Sequence, residues 1–268
     1  MIRVFRMSGV PVVATAFLLF LSACTTAEPE PPLDPALRLD GRPLVLPLDA
    51  YQVSPEDQLV VARARTELFR GCMARSGFTV PVRDAAPAVP LNHERYLLED
   101  ENAAQTRGYH PSEAQQAISG PPTRHPGAGD CEEEAVTGLA PTKDAAAAMR
   151  LVDDLKSRSW EQSVRDSRVA AVFAAWSSCM AGFGHHYPNP RAANNDTAFQ
   201  TEEPTPREIT TAVSDVRCKR QTKVVDTWAL VEAAYQKRAI FENRAELEEG
   251  RSAIASLVSA ARTVVSAK

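Results

Sequence analysis

Two stretches of this chain, 107 residues apart, carry the same pattern around a cysteine, and that repeat constrains the fold more than any other feature. Residues 68–77 read LFRGCMARSG, and residues 175–184 read AWSSCMAGFG. Cys-Met-Ala is shared. An aromatic (Phe69, Trp176) stands three before each cysteine, and a glycine (Gly77, Gly184) stands five after it. On a helix, positions i−3 and i+1 lie on the cysteine's side. The aromatic and the methionine are therefore read as core residues that bury a disulfide, and the glycine as a left-handed helix stop. Each copy also has one later cysteine, Cys131 and Cys218. A duplicated helical unit, each copy closed by its own bridge, predicts Cys72–Cys131 and Cys179–Cys218. A Cys72–Cys179 bridge, linking the two copies, is the alternative pairing. Bridges closing loops of this size stabilise a fold by roughly 2–4 kcal/mol each.

The rest of the chain reads as helix. No stretch alternates polar and apolar residues over a strand's length, so the fold class is mainly α, with four to seven helices. Ser54-Pro55 opens the first, with Leu59, Ala62, Thr66, Phe69 and Met73 as its stripe and an end near Gly77. Residues 79–92 hold three prolines and read as loop. Shorter helical pieces are expected at 94–106 and 112–118, with a turn at 107–111 between them. A loop follows at 119–129, and then a short helix capped by Asp130, whose glutamates Glu132, Glu133 and Glu134 complement the helix dipole. Helix resumes from Thr142 to about Ser157, with Met149, Val152 and Leu155 inward. Ser159 is the expected cap of the next helix, striped by Val169, Val172, Phe173, Trp176 and Met180. After a loop at 184–204, Thr205-Pro206-Arg207-Glu208 combines a cap, an N1 proline and an N3 glutamate. From there to Lys268 the chain has no proline and one glycine, Gly250. Two long helices breaking near Gly250, or one that continues past the core, are expected.

The N-terminus carries an address. MIRVFRMSG holds two arginines and no acid, and VPVVATAFLLFL is an apolar run of about twelve residues. That run is shorter than the roughly 20 residues a spanning helix needs. Leu21-Ser22-Ala23-Cys24 follows. This resembles the lipobox of bacterial lipoproteins, which implies a diacylglycerol on the Cys24 thiol and cleavage just before it. Residues 1–23 are then a signal peptide, and 24–53 a lipidated cysteine with a tether rich in proline and acid. Two helical units follow at 54–158 and 159–268. The implied location is the outer face of the cytoplasmic membrane, extracytoplasmic and lipid-anchored. Cleavage before Cys24 leaves 245 of the 268 residues and removes Arg3 and Arg6, so the formal charge moves from −4 to −6. A modestly acidic surface in that place argues against nucleic acid. The oxidising compartment also favours bridges for the remaining four cysteines.

Several motifs resemble an uncharacterised group of actinobacterial lipoproteins and secreted proteins with paired Cys-Met helices. They are Cys72-Met73 to Gly77-Phe78, Gly108-Tyr109, Cys131-Glu132 to Ala135, Trp176-Ser177-Ser178-Cys179-Met180, and Asp215-Val216-Arg217-Cys218-Lys219 with Trp228. The resemblance spans roughly residues 55–245. It implies no assigned activity, so it lends no catalytic residue.

Chemical motifs are absent from the sequence. There is no Gly-x-Ser-x-Gly elbow, HExxH, phosphate loop, calcium loop or CxxC pair, and neither a metal nor a cofactor is expected. Of the histidines His93, His110, His125, His185 and His186, two arrangements merit attention. His185-His186 with Asp196 has the donors for a loose metal site, although adjacent side chains rarely converge. His93-Glu94 has the groups of an acid–base pair, although such a pair more often lies on the surface. The favoured reading is a non-catalytic module that binds or organises an envelope protein, peptide or cell-wall glycan. Tyr109, Tyr187, Phe199 and the C-terminal helix are its candidate contact surfaces. The alternative is a cell-wall-active hydrolase using carboxylates or His93. A cavity with convergent polar groups would discriminate between them.

Overall fold

The computed structural model describes residues 28–37, 39, 44–81, 89–112, 127–139 and 144–267. Cys24 and the signal peptide lie outside the described residues, as do His125, most of 112–118 and residues 119–126 of the expected loop. Pro31–Lys268 forms one unit; of the unit Met1–Glu30, the described residues Glu28, Pro29 and Glu30 are exposed.

The fold is mainly α, stapled by two disulfides. Helix α1 is Pro55–Arg75, with the Ser54 hydroxyl accepting from the Asp57 amide. Helix α2 is Glu101–Arg107, α3 Ala128–Leu139, α4 Asp144–Arg165, α5 Ser167–Gly182 and α6 Pro190–Asn194. The C-terminal run is α7, Pro206–Thr222, α8, Val224–Glu242, and α9, Arg244–Ser266. These nine helices among the described residues exceed the four to seven expected. A 3-10 turn, Pro47–Tyr51, precedes them.

Two cores organise the body. In one, α1, α3, α4 and α9 meet through Ala64, Leu139, Ala145, Leu257 and Ala261. In the other, α5, α7 and α8 meet around Trp228, whose ring lies 5.1 Å from Tyr96, 5.5 Å from Trp160 and 5.1 Å from Phe173. Helices α4 and α8 pack on each other and join the two, with Leu48 of the 3-10 turn wedged beside Val152, Leu155 and Leu247. The last helix thus completes the core of the first, and α4 runs through the expected unit boundary at 158/159.

Cys72 bonds to Cys131 and Cys179 to Cys218, with Cα–Cα distances of 5.4 and 5.7 Å. Each bridge ties a helix to its neighbour, α1 to α3 and α5 to α7. The repeat extends to the backbone. Gly77 and Gly184 stand at φ 82° and 81°. Phe78 N–H returns to Met73 O at 2.9 Å, and His185 N–H to Met180 O at 3.0 Å. Both are left-handed glycine stops of the same type. Met73 and Met180 are fully buried.

Several expectations need correction. On α1, Ala62 and Thr66 are exposed; Val61, Ala64 and Leu68 face the core, so the stripe is rotated from the one read in sequence. Residues 91–97 form turns, because Glu94 and Leu97 adopt φ 53° and 68°, and helix begins only after the Asp100 cap. Helix α3 starts at Ala128, so Asp130 lies in its first turn and does not cap it. Ser159 caps nothing: it is buried within α4, and the break falls at Asp166, whose carboxylate accepts from the Arg168 amide at 3.0 Å. Nothing between Ser157 and Asp166 interrupts helical bonding, so the later cap prevails. The C-terminal run divides at Lys223 and Asn243, not at Gly250. Gly250 sits inside α9 at its crossing with α4, where a Cβ would come 2.6 Å from the Ala148 Cβ. Its role is close approach of two helices.

Candidate ligand-binding cavity

The segment 91–98, between the proline-rich stretch and α2, is held from beneath by three buried polar networks. In the first, Glu232 of α8, wholly buried, accepts from Arg95 at 2.6 Å, from the Tyr96 hydroxyl at 2.8 Å and from the Gln236 amide at 2.7 Å. Burial, and then the Glu232 charge, raises the Tyr96 phenol well above its ordinary range. In the second, Asn92 donates to Leu44 O at 3.0 Å, and Lys156 of α4 binds Asp49 at 2.8 Å and Gln52 at 2.7 Å. In the third, Lys219 of α7 donates to Leu98 O at 2.8 Å and to Asp215 at 2.9 Å. Asp215 also accepts from the Trp176 indole at 2.9 Å. Burial pushes the Asp215 carboxyl up, against the opposing pull of Lys219, Trp176 and Tyr109.

These clamps account for the backbone at Glu94 and Leu97. A non-glycine residue in the left-handed region costs about 1 kcal/mol or more and persists only where its surroundings over-determine it. Among the described residues three do so: Glu94, Leu97 and Lys223, the last at φ 54°. All three line one cavity of about 530 Å³, a size usual for small-ligand sites. The clamped segment contributes Asn92, His93, Glu94 and Leu97 to its wall. The α7–α8 corner contributes Lys219, Arg220, Lys223, Val225 and Asp226. A smaller cavity of about 280 Å³ shares His93, Glu94 and Leu97 and adds Arg107 and Tyr109.

His93 and Glu94 therefore belong to this site. Their Nε2 and Oε1 atoms stand 3.9 Å apart, and Arg107 forms an ion pair with the Glu94 carboxylate. Of the other sequence-derived candidates, Tyr109 lines the smaller cavity and the rest lie elsewhere. His185 places Nδ1 3.3 Å from the Thr211 hydroxyl, while Asp196 accepts from the Tyr187 hydroxyl at 2.6 Å. Among the described residues no group of three or more His, Cys, Asp or Glu side chains is placed to hold a metal ion. That bond to Asp196, after burial, pushes the Tyr187 phenol up to about 12. The aromatics expected as contact surfaces turn inward: Phe199 is buried and stacks on Tyr109 at 5.7 Å. Helix α9 is likewise spent on packing along one face, against α1 and α4. Phe241, 75 % exposed at the end of α8, is the most exposed large apolar residue among those described.

Sequence reading missed the polar face of α7. Glu208, Thr211, Asp215 and Lys219 are all buried. Glu208, read as a capping-box partner, instead accepts from the Tyr109 amide at 2.8 Å. The spacing of three, four and four along one helical face was the available signal, but it resembles a solvated stripe. No helix among the described residues is long and apolar enough to cross a membrane. Compared with family models, curated proteins and solved structures, the chain matches none.

Proposed function

We propose that this chain is a lipid-anchored, extracytoplasmic binding protein, fixed to the outer face of the cytoplasmic membrane by diacylglycerol on Cys24. Its partner is an envelope protein or a cell-wall component, and binding is non-catalytic. The observation that carries the reading is the convergence of the three left-handed non-glycine residues among those described on one cavity walled by a clamped segment. Such rigidity lowers the ordering cost of binding. The test is a photo-cross-linking residue placed at Asp226, on the cavity rim, and at Arg65, an exposed position on α1. One reproducible adduct on intact cells from position 226 only, and lost with Cys24→Ala, is expected. Equal adducts from both positions would contradict the reading.

A second reading, a cell-wall-active hydrolase, is favoured by one observation: His93 and Glu94 lie together at the rim shared by both cavities. It requires His93→Ala to abolish release of soluble fragments from purified cell wall. The binding reading predicts no release from either protein.

A further inference from the structure

We infer that the end of α8 around Phe241 is the face this protein turns to the lipid surface, with the apolar ring entering the headgroup layer; this rests on reading Cys24 as the lipid site. The chain between anchor and body is short. Pro31 is buried, and its carbonyl accepts two N–H bonds from the Arg168 guanidinium at 3.0 Å. Arg168 is held by Asp166, which also accepts from the Tyr235 hydroxyl of α8 at 3.2 Å. Three residues on, Asp34 forms an ion pair with Lys237 of α8. The lead-in is thus seated at Pro31 and Asp34, against the 235–237 stretch of α8. Residues 24–30 alone separate the anchored cysteine from Pro31, a span of about 25 Å at full extension.

Phe241 follows Tyr235 by six residues, about 9 Å along the helix axis, well within that reach. It is 75 % exposed, and Leu33, beside Asp34, is 38 % exposed. Single exposed apolar side chains are common on soluble proteins. What gives these two a partner is their place, flanking the ion pair that seats the tether.

Charge does not draw this face to a bilayer. Along the chain Lys237, Arg238 and Arg244 are balanced by Asp34, Glu242 and Glu246, and Glu28 and Glu30 add further acid. Recognition therefore falls to the apolar ring. One ring would not hold a free protein on a membrane, but a short tether presents the surface at an effective concentration of about millimolar, so a weak contact sets the orientation.

The test is tryptophan fluorescence of the lipidated protein, purified from membranes and reconstituted in phosphatidylcholine vesicles, with Phe241→Trp or Phe183→Trp. Phe183 is 45 % exposed but stands past the far end of α5, about 24 Å along the axis from Ser167. Native Trp176 and Trp228 are wholly buried and Trp160 partly, so the parent's emission can be subtracted. Lipids brominated about 5–10 Å below the surface, the depth interfacial side chains reach, should quench about half of the emission added at 241 and little of that added at 183. Raising salt from about 0.1 to 1 M should leave this unchanged, because it screens charge and not apolar contact. Equal quenching at both positions, none at 241, or loss of quenching in salt would overturn the assignment. Flotation with the vesicles and the mass of the Cys24 peptide are read on the same sample. Flotation without quenching at 241 refutes this face and leaves the anchor standing. A Cys24 peptide without diacylglycerol refutes the anchor, and this face with it.

Discussion

Single residues in this protein are decided by what surrounds their backbone. Gly108 holds φ 56° and ψ −129°, and a Cβ there would meet the Glu208 carboxylate at 2.5 Å. Gly108→Ala should cost about 2 kcal/mol or more in denaturant titrations, from conformational strain and the displaced carboxylate. Glu232 is the other sensitive position. Glu232→Ala leaves Arg95 and Tyr96 without their shared acceptor, and loss of one partner of a buried pair costs about 3–5 kcal/mol. A change under about 1 kcal/mol would show that the clamp does not hold the segment. None of this was legible in sequence: Glu232 reads as one of many helix glutamates, and nothing in Asn92-His93-Glu94-Arg95 announces a left-handed turn. His93-Glu94 was visible as a pair, but only the fold puts it at a cavity.

At the level of elements, the cysteine repeat was legible because it is local. Helix, buried methionine and glycine stop all follow from a ten-residue window, and both copies form the same turn. Start signals worked where a cap and a proline coincide, as at Ser54 and Thr205. They failed where the decisive event is tertiary. Lys223 turns the chain with no glycine, and Gly250 reads as a break in sequence although its small size serves a crossing. Gly250→Leu should therefore push α4 and α9 apart and destabilise by about 1–3 kcal/mol, the range for overpacking. A neutral result in thermal melts would mean that the crossing is looser than described. The polar face of α7 escaped notice because buried and solvated charges share one spacing, and only the partners distinguish them.

For the whole molecule, two bridges and a handful of titrating groups set the limits of stability. Loops of 59 and 39 residues differ little in closure entropy, so replacing either cysteine pair by serine should cost a similar amount, roughly 2–4 kcal/mol. Acid should weaken the fold in two stages. Burial, then Arg207 and His186, hold the His185 imidazole below its ordinary 6.5, so the unfolded chain takes up the proton first. Its contribution is complete above that value and falls as pH drops through it toward the folded value. Urea midpoints should decline as pH falls from neutrality through the ordinary value, and His185→Asn should flatten that decline. Asp166 acts lower. Burial raises its carboxyl, but the Arg168 bonds outweigh this and hold it below its ordinary 3.8. Its contribution is present above that value and is lost as pH falls through the folded one.

The clamped segment is the centre of this account, and hydrogen–deuterium exchange tests it directly. The amides of His93, Arg95 and Leu97 bond to Pro90, Asn92 and Glu94 carbonyls within the turns. If the three networks hold the segment rigid, these amides exchange as slowly as those of the neighbouring helices, and Glu232→Gln accelerates them selectively. Exchange at the rate of an open loop in the parent protein would contradict the clamp and the preformed cavity with it.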